Sequence, residues 1–360
     1  MSNYTIPIGP LHVVLEEPVY FKLQVEGETV KGLEIHSGHV HRGIEFLAMQ
    51  RNFYQNITLT ERVCSLCSNN HPFTYCMAVE KIAGIQISER AEYLRALADE
   101  IKRIASHMFN VGIVAHIIGF DSLFMHAMEL REKMQDVKES VFGNRMNISA
   151  NCIGGVRFDV SDESRQYILK TVDSLKKPLE EVASIFMKDA SILRRTVGIG
   201  VMPHDKTVEY GLVGPVARAS GVAYDVRVQN PYAAYDKLKV NMVVEKGEDV
   251  HSRVVVRLKE IFESIRLVEQ CLHDMPEGPL HPDHLPTIPA GEAVAKSEAP
   301  RGELIYYARS NGSEIPERIK WRVPTYPNWE ALNVMLPGSK LADIPVIVGS
   351  IDPCVSCTER

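Results

Sequence analysis

The stretch Glu61-Arg62-Val63-Cys64-Ser65-Leu66-Cys67-Ser68-Asn69-Asn70-His71-Pro72 has a counterpart far down the chain, Asp352-Pro353-Cys354-Val355-Ser356-Cys357-Thr358-Glu359-Arg360. Each carries Cys-x-x-Cys, a spacing at which two sulfurs turn toward one metal centre. Terminal segments fray unless something ties them down. Two cysteines in the second stretch therefore predict a metal site as the tie.

With 360 residues, the chain is long enough for one large domain or two ordinary ones, and 45% hydrophobic with 24% charged residues suits a soluble globular protein. A net charge of −6 offers no basic face, which argues against nucleic acid as a partner. No signal peptide is visible, and apolar runs such as residues 111–120 are too short to span a bilayer. The expectation is a cytoplasmic protein, soluble itself and peripheral on any membrane complex. Seven dispersed cysteines without a secretory signal predict a reducing compartment and thiolate chemistry. Cys76, Cys152 and Cys271 stand alone and read as small buried hydrophobes.

Residues 19–25 and 29–35 alternate around Glu26-Gly27-Glu28 and predict a β-hairpin. Glu16 and Glu17 precede it. His36, His39 and His41 share a glycine-containing loop, too unevenly spaced for a metal site, before a helix reaching about Arg51. Pro72 suits the first position of a helix running to about Ile82. Cys64 and Cys67 would then lie near a helix N-terminus, where thiolate is favoured over thiol.

Ser88 caps a long helix with Leu94, Leu97, Ile101, Ile104, Met108 and Val111 on its core stripe. Further helices are predicted over residues 122–141, closed by Gly143, over 162–189 with a kink or break at Pro178, and over 250–274. Met108, Met125, Met128 and Met134 read as core filling. Residues 276–289 form a proline-rich loop in which His281 and His284 make a His-x-x-His pair, a weak signal for metal binding. Residues 303–309 and 317–323 flank Asn311-Gly312 as a second hairpin. A buried run, 344–351, leads to Asp352 and Pro353 as cap and first residue of a final turn. The predicted fold class is mainly α with small β parts (α+β). It is one domain, with a helical core over 61–275 between an N-terminal hairpin region, 1–60, and a C-terminal β/loop region, 276–360.

Four cysteines admit a structural zinc, a buried soft redox metal or a [4Fe–4S] cluster, and spacing alone does not choose. The pairs lie almost a chain length apart in a sequence with ample core of its own, which weakens the zinc staple.

At these residues the chain resembles the large subunit of [NiFe]-hydrogenases, in particular the energy-converting, membrane-associated class of the Ech and carbon-monoxide-induced enzymes. The resemblance spans the chain. It includes Gly9-Pro10-Leu11-His12, Glu17-Pro18, His41-Arg42-Gly43-Ile44-Glu45, Ala299-Pro300-Arg301-Gly302-Glu303 and Val323-Pro324-Thr325, besides both cysteine motifs. It implies the hydrogenase large-subunit fold, shared with the 49 kDa-type subunit of complex I. It also implies a Ni–Fe centre with Cys64 and Cys354 as terminal nickel ligands and Cys67 and Cys357 bridging to an iron that carries carbon monoxide and cyanide. Pro300, Arg301, Pro324 and Thr325 would line the diatomics. Arg301 would overhang the open metal position as a base, oriented by Asp352. His71 would hydrogen-bond a bridging sulfur. Glu17, with Glu16 as the alternative, would be the proton gate.

The chain departs from many relatives at Arg360, where they carry a metal-binding histidine. The resemblance thus leaves Glu45 either holding magnesium or iron or paired with Arg360. Whether a C-terminal extension was removed stays open. The implied partners are a small subunit with a proximal [4Fe–4S] cluster, a ferredoxin-like iron–sulfur subunit, complex I-like membrane subunits and ferredoxin. Iron–sulfur clusters would reside only in those partners. The implied reaction is reversible heterolytic cleavage of dihydrogen coupled to ion translocation. A quinone-reducing complex I-type subunit lacks the paired cysteines, and a zinc-stapled scaffold would lack nickel. A formate-linked hydrogenase adds an N-terminal domain.

Overall fold

A computed structural model of the chain describes residues 3–12, 15, 17–284 and 286–360. Strands β1 (Asn3–Ile8), β2 (Tyr20–Glu26) and β3 (Thr29–His36) form an antiparallel sheet in that order. The hairpin β2–β3 matches the alternation read from the sequence. Strand β1 was not foreseen: Pro7 lies within it, and proline is tolerated because β1 is an edge.

The helices follow: α1 (Ile44–Ala48), α2 (Asn70–Ala83), α3 (Glu89–Ile117), α4 (Asp121–Phe142), α5 (Asp162–Lys188) and α6 (Val250–Asp274). Helix α1 is shorter than predicted. Ser88 caps α3 by accepting from the Ala91 N–H, and Gly143 closes α4 in the left-handed conformation. Pro178 does not break α5. Ser174, whose carbonyl loses its helical donor there, is exposed, and Leu175, Leu179 and Val182 continue one buried stripe. Helices α4 and α6 pack along α3, and α5 packs on α4 and α6. Of the methionines read as core filling, Met108 and Met134 are buried and Met128 partly so, but Met125 is exposed on the outer face of α4. Cys76 and Cys271 are fully buried; Cys152 is only partly so.

Strands β4 (Ala290–Ala299), β5 (Gly302–Asn311) and β6 (Arg318–Arg322) make a second three-stranded antiparallel sheet. The β5–β6 hairpin was legible in the sequence, whereas β4 was not. Pairing of Ala299 with Gly302 leaves only Pro300 and Arg301 in the turn, so Arg301 stands at a hairpin tip. Gly302 has φ +127° and lies against Gly214. A Cβ on Gly214 would meet the Arg301 carbonyl oxygen at 2.3 Å, so the two backbones pass too closely for any side chain.

After this sheet come helices that include α7 (Thr325–Glu330), α8 (Ile344–Ser350) and α9 (Val355–Glu359), and shorter helices such as Gln55–Glu61 and Ala190–Thr196 lie between the long ones. The buried run before Asp352 is therefore helical. Asp352 and Pro353 do not open α9: Cys354 occupies the cap position, and Asp352 sits at φ +57° with its side chain committed to Arg301. Among the described residues the buried hydrophobic side chains fall into two clusters, one from the helices and β2, the other joining α2 and the second three-stranded sheet around the four motif cysteines.

Candidate metal centre

The Cys64–Cys67 loop leads directly into α2, whose first turn hydrogen-bonds back to it: the Asn70 and His71 N–H groups reach the Cys67 carbonyl at 3.1 and 3.3 Å. Cys354 and Cys357 bracket the start of α9. All four cysteines are buried, and their sulfurs lie within 4.8 Å of one another. Cys354 Sγ is 3.2 Å from Cys64 Sγ and 3.0 Å from Cys357 Sγ. Hydrogen bonds from Cys354, Cys357 and Cys67 hold the Cys64 thiol well below its usual pKa, while burial pushes Cys357 well up. Such sharing marks a cluster that cannot ionise fully without added positive charge. Four converging, dry sulfur donors fit a soft metal centre.

His71 Nε2 lies 3.2 Å from Cys357 Sγ, and its Nδ1 is 2.7 Å from the Tyr306 hydroxyl. Burial lowers the His71 pKa to about 4, so the ring is neutral. Tyr306 donating to Nδ1 leaves Nε2–H for the sulfur. Tyr306 itself stacks on Trp321.

Arg301 is held from two sides of Asp352. Its Nε donates to the Asp352 carbonyl at 2.9 Å and its Nη2 to the carboxylate at 2.7 Å. Nη1 reaches Ser106 Oγ at 3.3 Å and Cys67 Sγ at 3.6 Å. Burial opposes this charge, but Asp352 and the Cys67, Cys354 and Cys64 sulfurs outweigh it and push the Arg301 pKa well up. Pro300 and Pro324 are buried beside Arg301 and Thr325, their sequence neighbours. Thr325 Oγ1 accepts from the Cys354 N–H at 3.1 Å.

Glu17 is partly buried and accepts from the Val355 and Ser356 N–H groups, at 2.5 and 3.1 Å, and from the Ser356 hydroxyl. It thus lies against the backbone between Cys354 and Cys357, at the amide end of α9. Glu16 lies outside the described residues. Glu45 pairs with Arg360 at 2.8 Å and Lys320 at 3.5 Å and accepts from the Trp321 N–H at 3.3 Å. The Arg360 guanidinium also lies over Trp321.

Sequence reasoning missed the side chains that lock the two motifs together. Arg42 Nη2 donates to the Val63 carbonyl at 2.7 Å and the Ser356 carbonyl at 3.0 Å, one residue before Cys64 and Cys357 respectively. The Val40 N–H donates to the Glu359 carboxylate at 2.6 Å. The signal available was Arg42 inside the His41–Glu45 motif, but an arginine reading two carbonyls leaves no pattern in sequence. His281 and His284 are exposed.

Two families match this chain: "Nickel-dependent hydrogenase" over residues 42–112 and "Respiratory-chain NADH dehydrogenase, 49 Kd subunit" over residues 118–288 and 283–360. The chain belongs to the family that unites the large subunits of nickel-dependent, membrane-bound hydrogenases with the 49 kDa subunit of respiratory NADH dehydrogenase. Within it, the chain is 61% identical to the carbon monoxide-induced hydrogenase of Rhodospirillum rubrum over 100% of both chains. It is 39% identical to the membrane-bound hydrogenase subunit alpha of Pyrococcus furiosus, over 99% of this chain and 87% of the relative. A solved chain of the membrane-bound sulfane sulfur reductase, an archaeal respiratory membrane complex, superposes with a TM-score of 0.95 at 32% identity, covering 99% of this chain and 98% of that one. Among the described residues, no helix is long and apolar enough to cross a membrane.

Proposed function

We propose that this chain is the catalytic subunit of a multisubunit, membrane-associated [NiFe]-hydrogenase that interconverts dihydrogen and protons. The observation that carries the reading is the convergence of four buried sulfurs beneath the Arg301–Asp352 pair. Fold alone does not carry it, since the same fold serves a complex named for sulfane sulfur reduction. The cysteines and the identity to hydrogenases add the weight.

Cys64, Cys67, Cys354 and Cys357 would hold a Ni–Fe centre whose iron carries carbon monoxide and cyanide, and Pro300, Arg301, Pro324 and Thr325 would line the pocket around it. When bound, that centre supplies the Lewis acidity and redox capacity for heterolytic cleavage of dihydrogen. The chain's own residues would manage the proton and the pocket. Arg301, fixed by both the carbonyl and carboxylate of Asp352, keeps one nitrogen toward the sulfurs. His71 donates to Cys357 without carrying charge. Glu17 is the carboxylate that receives a proton and passes it outward, its contact with the Cys354–Cys357 backbone supporting that role. Glu45 serves as the ion-pair anchor of Arg360 rather than as a metal ligand, because two cationic groups already compensate its charge.

One pocket cannot deliver electrons over distance, so the reading includes a small subunit with a proximal [4Fe–4S] cluster, a ferredoxin-like subunit, membrane subunits that move ions, and ferredoxin as outer carrier. Anaerobically purified complex tests it. Stoichiometric nickel with infrared bands of iron-bound carbon monoxide and cyanide is the expected result. Zinc without those bands in mature protein would overturn it.

A further inference from the structure

Lys102 lies on α3 and is only 3% exposed. Its ammonium donates to the Ser65 carbonyl at 3.1 Å, to Ser68 Oγ at 2.8 Å and to the Met146 carbonyl at 2.8 Å. Ser65 stands between Cys64 and Cys67, and Ser68 follows Cys67. The three acceptors are neutral. Among the described residues, no carboxylate pairs with Lys102. Glu61, whose charge acts on it, spends its oxygens on the Ser149 N–H and hydroxyl. Arg131 acts on it with like charge, and Lys138, buried nearby, feels that of Lys102.

A buried ammonium needs an anion, because neutral dipoles only partly replace its hydration. The negative charges that act most on Lys102 are those of the Cys64 and Cys67 sulfurs. Burial lowers its pKa to about 8, and these sulfurs oppose that fall. Arg301 approaches Cys67 from the hairpin tip, whereas Lys102 grips the backbone of the cysteine loop itself. A metal on the sulfurs would therefore sense two cations with different attachments.

We infer that Lys102 is a positioning residue of the metal centre: it clamps the Cys64–Cys67 loop through its backbone and supplies that pair of thiolates with a fixed positive charge. The inference rests on the hydrogenase reading above. A nearby cation draws electron density from sulfur and hence from the metals, so its loss returns density to the iron and its diatomics.

The test compares Lys102→Arg, which keeps the charge, with Lys102→Gln, which keeps a donor without charge, each in the whole complex. Nickel content, infrared bands and the midpoint potential of the site are read together. The expected result is that the Gln variant loads nickel but shows diatomic bands shifted to lower frequency and a lower potential, while the Arg variant keeps the original bands. Loading confined to the Arg variant, with unshifted bands, also supports a charge requirement. Unchanged bands and potential in the Gln variant overturn the inference, as does failure of both variants to load nickel. Absence of diatomic bands in the unmodified protein would instead remove the hydrogenase reading itself.

Discussion

Helix α3 carries two buried polar clusters that solve opposite problems. Toward the cysteines it presents Lys102 and Ser106. Interleaved with these on the same turns, it presents Asp99, Glu100, Arg103 and His107 to an interior ion network. In that network Arg103 binds Asp99 and Glu100, Arg227 binds Glu100 and Asp225, and Arg218 binds Glu260 and Glu298. His107 adds a 2.8 Å contact to Glu260. Acids and bases there pair mainly with one another through the protein, although Arg103 Nη1 and His107 Nδ1 are left without a hydrogen-bond partner. Among the described residues the sulfur cluster shows no such closure: Arg301 and Lys102, on which its sulfurs act, are two cations for four thiolates, and Arg301 is already shared with Asp352. Buried polarity that closes on itself is scaffold, and buried polarity left open marks the site.

The largest effect expected is at the open cluster. Cys354→Ser removes a sulfur that contacts both Cys64 and Cys357, and should abolish nickel loading and hydrogen-dependent activity while circular dichroism stays unchanged. Retained nickel would break the contrast.

Glu17→Gln should leave metal content and infrared bands intact but slow hydrogen–deuterium exchange, by about 10²- to 10⁴-fold for a lost acid–base group. Exchange at the original rate would point to another carboxylate.

Breaking the closed cluster should do the converse. Arg218→Met removes the cation shared by Glu260 and Glu298 and leaves Glu260 with His107 alone, at a cost of about 3–5 kcal/mol read by chemical denaturation of the complex. The infrared bands of the fraction that still folds should not move.

The smallest effect expected is a pH dependence. Burial raises Glu298 from its usual value near 4.5 to about 7. The folded state then holds a proton that the unfolded chain releases earlier. Its stabilising contribution is complete below about pH 4.5 and is lost as pH rises through about 7. Glu298→Gln should flatten the stability profile in that window; an unaltered slope would assign it to another group.

The site was far more legible than its supports. Cys-x-x-Cys spacing is a local pattern, His71 and Arg301 were marked by the family resemblance, and the structure brings all of them together at the sulfur cluster. The helices announced themselves through periodicity and caps, Ser88 and Gly143 above all. What escaped depended on tertiary partners. Strand β4 exists because β5 pairs with it, and Asp352 gives up a capping role because Arg301 claims its carboxylate. Lys102 and Arg42 look like ordinary surface charges until the carbonyls they hold are seen. Met125 satisfied the helical pattern yet faces out, since a pattern of spacing does not say which stripe finds a neighbour.

The contact between Gly214 and Gly302 gives the pocket a lever that lies outside it. Arg301 projects from a two-residue tip whose height is set by how closely the neighbouring backbone can press against it. Its reach toward the sulfurs is therefore set by missing atoms at the base of the tip as well as by Asp352 at its end. One added methyl group at Gly214 would lift the tip like a shim under a cantilever. The guanidinium would move while every residue around the four sulfurs kept its identity.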